Sequence, residues 1–151
     1  MANTQAMCTS FKTELLTATH NFGTAPTRGT GTADTYYAAL YLTTATLGAG
    51  TTAYTATGEV SGPGYTAGGI AVTNATAPTS SGTTAYWTPS ASLVYTSVTL
   101  TTAFDTVLIY NQTQSNKAVS VHTFGSQTIT AGTFTLTMPA NTNTTALIRL
   151  A

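Results

Sequence analysis

The sequence predicts an all-β fold, a jelly-roll-like β-sandwich of about eight strands with a short N-terminal helix. Three observations carry that expectation. Thr, which keeps strand propensity without adding charge, occurs 39 times in 151 residues. Short apolar or alternating runs recur roughly every ten residues, separated by turns rich in Gly, Pro and Asn. Finally, 8 Tyr, 5 Phe and 1 Trp are spread along a chain of zero net charge. Disorder needs low hydrophobicity together with high net charge, so this chain reads as folded.

Residues 1–9 read as a flexible arm. Ser10 then precedes Phe11, Leu15, Ala18 and Phe22, an i, i+4, i+7, i+11 stripe along one face of a short helix. Ser10 suits the N-cap, Glu14 the positive end of the helix dipole and His20 the negative end. Gly23 is the expected stop. At about three turns this helix is marginal unless it docks on something.

The first strand is expected over residues 35–43, where aromatic and aliphatic residues on both faces suit a central position. A weaker strand follows at 55–60, then a Gly/Pro loop at 61–69, a short strand at 70–74 and a turn at 78–82. Residues 84–88 hold the only Trp, residues 93–102 alternate weakly, and 106–110 (TVLIY) form a continuous apolar run, again central. A polar loop at 111–116 leads to an alternating strand at 117–124. Phe134, Leu136 and Met138 alternate strictly with Thr133, Thr135 and Thr137, and residues 145–150 close the chain. The domain organisation is therefore an arm and helix at 1–22, a small-residue linker at 23–33 and a sandwich at 34–151.

Charge narrows the function classes. Four cations, Lys12, Arg28, Lys117 and Arg149, balance four carboxylates. Nucleic-acid binding is not expected, because phosphate neutralisation dominates that affinity. A basic membrane-binding face is missing, no run of about 18 apolar residues suggests a membrane span, and the N-terminus lacks the pattern of a signal peptide. Cys8 is the single cysteine, so no internal disulfide is expected.

No catalytic, metal-binding or cofactor-binding set emerges, and no enzyme is expected. Cys8, His20 and His122 lack metal-ligand spacing, and Glu14, Asp34, Glu59 and Asp105 are scattered. No G-x-S-x-G occurs, and the glycines at 62–69 precede no G-K-[ST]. Tyr36, Tyr37, Tyr41, Tyr54, Tyr65, Tyr86, Trp87 and Tyr95 could stack on sugars, but half-buried tyrosines also suit a sandwich core.

Thr stands where other chains place Lys or Glu, which leaves strand edges without their usual charged guards. Pairing with neighbouring copies is the expected remedy. The apolar stripe Phe11, Leu15, Ala18 and Phe22 needs a partner surface, which its own sandwich, a sister subunit or the capsid could supply; it is the candidate intersubunit contact, because a thin core suggests burial completed by neighbours.

Several stretches resemble small virion proteins of tailed bacteriophages. They are Ser10-Phe11-Lys12, Glu14-Leu15-Leu16, His20-Asn21-Phe22, Ala39-Leu40-Tyr41, residues 52–69, Leu108-Ile109-Tyr110-Asn111, Asn116-Lys117-Ala118-Val119 and residues 146–151. The likeness covers nearly the whole chain from Ser10, apart from a departure between Ser80 and Phe104. It implies a capsid decoration, or cement, protein: a jelly-roll homotrimer that binds the major capsid protein on the outer shell. The implied location is the virion surface, after synthesis in the host bacterial cytoplasm. The alternatives are a tail, neck or fibre component, or a host-surface carbohydrate-binding module.

Overall fold

In a computed structural model of the chain, residues 2–22, 33–73 and 77–151 are described. Among them one helix, α1 (Thr9–Leu16), accompanies eight strands. These are β1 (Ala6–Met7), β2 (Tyr36–Leu42), β3 (Ile70–Ala71), β4 (Thr79–Ser81), β5 (Thr84–Trp87), β6 (Leu93–Asn111), β7 (Lys117–Leu136) and β8 (Ile148–Leu150). They form two antiparallel sheets, ordered β1-β7-β6-β2-β3 and β4-β5-β8. The molecule is an all-β sandwich, the class its sequence predicts. The linker read at 23–33 and the stop at Gly23 fall, apart from Ala33, outside the described residues, as does Asn74. None of the described helices is long and apolar enough to cross a membrane.

β2 occupies the central place its two apolar faces foretold. It lies between β6 and β3, and Tyr36, Ala38, Ala39, Leu40 and Tyr41 are fully buried. The run at 106–110 is likewise central, between β7 and β2. Sheet β4-β5-β8 meets this layer through Trp87, whose ring lies 4.7 Å from Phe22 and 6.1 Å from Tyr36.

The largest departure from expectation is continuity. The strands read at 93–102 and 106–110 are one strand, β6, and those read at 117–124 and 133–138 merge into β7. The two pair over their whole length, from Leu93↔Leu136 to Asn111↔Lys117. Yet this ribbon is not straight. Phe124 and Phe134 are ten positions apart in β7, a run of about 33 Å if extended. Their ring centroids are 5.3 Å apart, and Phe104 contacts both. The ribbon therefore doubles back around an aromatic cluster. Register shifts between Tyr95 and Thr106, with left-handed backbone at Ser97 and Ala131, make the bend. Past the bend the side-chain alternation is as read: Phe134 is buried, Leu136 and Met138 are half-buried, and Thr133, Thr135 and Thr137 are exposed.

Other expected elements shift for local reasons. Residues 55–60 are not a strand; they enter a loop that covers β2, where the Val60 N–H donates to the Leu40 carbonyl. Gly69 seats the end of that loop: its φ is +77°, and a Cβ there would overlap the Ala38 carbonyl oxygen. The turn read at 78–82 is mostly β4, with only Gly82 onward turning into β5.

The N-terminus is docked along sheet β1-β7-β6-β2-β3. The Asn3 amide donates to the Leu42 carbonyl and to Asp105, and accepts from the Leu47 N–H. β1 then pairs with β7. The helix is shorter than its stripe suggests, eight residues, because Ala18 adopts φ 54° and closes it. The Ala18 N–H donates to the Leu15 carbonyl and the Thr19 N–H to Glu14, the paired bonds of a Schellman stop. At the other end Cys8 is the N-cap rather than Ser10, and it makes no side-chain capping bond.

Candidate functional site

The stripe selected from the sequence is divided by the fold. Phe11 and Phe22 are buried in this chain's own core, 1% and 8% exposed, with their rings 5.9 Å apart. Leu15 is half-buried and Ala18 is exposed. Phe11, Leu15 and Phe22 come together in a groove of about 390 Å³, completed by Tyr86, Trp87 and Leu150. Ala18 is not part of it. Leu150, which lines the groove, is 42% exposed, and Leu16, next to Leu15 in the chain, is 90% exposed. The sequence named Trp87 only as a stacking aromatic and Leu150 not at all as a site residue, because both lie on strands far from the helix. The strand that carries Trp87 was the available signal.

Behind the groove lies a polar cluster that joins α1 to the β6–β7 turn. Glu14 accepts from His20 Nε2 at 2.8 Å and from Lys117 Nζ. Burial works to raise the Glu14 carboxyl, but the hydrogen bonds from Lys117 and His20 outweigh it and hold it below its ordinary range. His20 Nδ1 faces Asn111 Nδ2 at 3.0 Å, and the same amide donates to Asp34 at 2.7 Å. Asp34 also accepts from the Asn21 N–H and from Gln114. The His20 side chain has no exposure. Both of its ring nitrogens are engaged, which leaves it no lone pair to offer a substrate proton.

A second carboxylate organises the loop over β2. Glu59 accepts from the Tyr54 and Tyr65 hydroxyls and from the Gly68 N–H, each at 2.7 Å. Burial first, then the bond to Glu59, pushes both phenols far above their ordinary range. Tyr110 donates to the Gly68 carbonyl and Tyr95 to the Ala38 carbonyl. Of the eight aromatics named for sugar stacking, Tyr36, Tyr41, Trp87 and Tyr95 are buried, and Tyr37, Tyr54, Tyr65 and Tyr86 are half-buried. The sequence hinted at none of this wiring, because Glu59 follows a Gly in what reads as an ordinary strand.

The remaining reactive groups are placed as follows. Cys8 is buried, and burial followed by the nearby Glu14 charge pushes its thiol up to about 11, far from thiolate chemistry at neutral pH. His122 lies 2.9 Å from Ser120, but that serine is 2% exposed and closed to substrate. His122 and Arg149 line a hollow of about 540 Å³ between β1, β7 and β8. Among the described residues no three His, Cys, Asp or Glu side chains converge to hold a metal ion. Comparison with known protein families, curated proteins and solved structures finds no match.

Proposed function

We propose that this chain is a structural protein of a tailed-bacteriophage virion, a decoration or cement protein that binds the major capsid protein as a homotrimer. What supports the reading, besides the resemblance of its sequence, is where its charge goes. All four carboxylates are bound inside the chain: Glu14 to Lys117 and His20, Asp34 to Asn111 and Gln114, Glu59 to Tyr54 and Tyr65, and Asp105 to Asn3 and Thr106. The acids hold loops and termini in place and leave a surface mostly of Thr, Ser and Ala, on which Lys12 and Arg149 are exposed cations. Such a surface suits close packing among many copies, where like charges brought together would repel. The work is mechanical, since area buried across adjacent shell subunits adds to the energy needed to separate them.

Quantitative mass spectrometry of purified virions tests the reading. Copy numbers in the hundreds, with a trimer in sedimentation of the isolated chain, are expected. A dozen copies or fewer would move the protein to the tail, neck or fibre. Absence from virions, with binding on a glycan array, would replace the proposal with carbohydrate recognition.

A further inference from the structure

We infer that His20 is a proton-sensitive link between the N-terminal segment and the β6–β7 turn: a second proton on its ring expels Asn111 and loosens residues 112–116. The Asn111 amide is held the same way round by two other bonds. Its Oδ1 accepts the Gln114 N–H at 3.1 Å, and its Nδ2 donates to the Asp34 carboxylate at 2.7 Å. Nδ2 must therefore donate to His20 Nδ1, which assigns the ring hydrogen to Nε2, the nitrogen that faces Glu14 at 2.8 Å.

An imidazolium carries hydrogen on both nitrogens. Its Nε2–H keeps Glu14 and gains a full charge there, so the ring stays in place. Its Nδ1–H meets the NH₂ of Asn111, donor against donor. Turning the amide over does not help, because that sets its carbonyl against the Asp34 carboxylate and its NH₂ against the Gln114 N–H. The strain thus falls on Asn111 and the turn it holds rather than on the helix. The ring has no aqueous alternative: its side chain is fully enclosed, with Phe11 at 4.8 Å and Phe22 at 6.4 Å. The other described titratable groups around the cluster are Glu14 from α1, Lys117 from β7, and Asp34 and Tyr36 at the entry to β2.

The inference does not rest on a virion role, because it is tested on the isolated full chain. Nitrogen NMR of the two assigned histidine rings, recorded with amide hydrogen exchange from pH 7.5 downward, reads both ends of the link. At pH 7.5 the His20 ring is expected to be neutral with hydrogen on Nε2. As the ring takes its second proton, protection of the Gln114 amide should fall by up to about tenfold per pH unit, the limit for one coupled proton. The Leu108 and Ile109 amides should keep theirs. An Nδ1–H tautomer at pH 7.5, a ring still neutral when the chain unfolds in acid, or unchanged Gln114 protection after the ring protonates would each overturn the link.

Discussion

Ala18 ends α1 in a backbone conformation that costs an L-residue about 1–2 kcal/mol, and it is exposed, so its methyl packs on nothing that repays the cost. Ala18→Gly is therefore expected to stabilise the chain by about 0.5–1 kcal/mol, after the greater entropy of an unfolded glycine is deducted. Urea denaturation measures it, and a loss of stability would contradict the strain argument. His122 makes the second prediction at this scale. Burial pushes its imidazole down from 6.5 to about 4. The unfolded chain binds this proton first, so stability falls as pH drops from about 6.5 to about 4 and is level below that, for this group alone. The loss is at most about 3 kcal/mol, and His122→Gln should flatten that limb of a stability–pH curve. Single residues also mark what the sequence hides. Ala18 is no signal for a left-handed stop, which is why Gly23 looked like the helix end. Ser10 looked like a cap, yet its hydroxyl is buried without a partner and the N-cap is Cys8.

At the scale of elements, the N-terminal segment belongs to the core of its own chain. Cys8, Phe11 and Phe22 are part of one buried cluster with Tyr36 and Trp87. Removing residues 1–22 is expected to unfold the sandwich rather than merely weaken assembly, because it opens a core lined by large aromatic rings. Loss of the β-type circular dichroism signal checks this; a truncated chain that keeps its signal would return the helix to an intersubunit role. Periodicity told correctly that one helix face is apolar. It cannot tell what covers that face, and here the cover is this chain's own β7, with the Phe22 ring packed edge-on to Phe11. The long strands were legible only in pieces for a related reason. Gly125, Gly132 and the Ser/Thr around them carry the composition of a turn, and they do bend the chain, but as irregularities inside a paired ribbon rather than as a loop. By contrast the runs at 36–42 and 106–110 were legible as central strands, since burial on both faces demands unbroken apolar sequence.

The whole molecule carries eight formal charges, and its acids are committed internally. With so few charges, attachment to a partner is expected to be mainly apolar and hydrogen-bonded. If the chain decorates virions, occupancy should change little between low salt and about 0.5 M, because screening weakens exposed ion pairs and leaves other contacts alone. Release of most copies on raising salt, read by gel densitometry of washed particles, would show that the few charges matter. The doubled ribbon has a further consequence, for the order of events in folding. Its closest pair in sequence, Asn111↔Lys117, closes a short loop, and each later pair, out to Leu93↔Leu136, adds a small increment of closure entropy. Both arms of the bend can thus zip from one nucleus at the turn, whereas the docking of Phe11 must wait for the sheet it covers. Kinetic φ-values near one at Leu108 and Val121, falling toward zero at Leu93 and Phe11, are the expected signature.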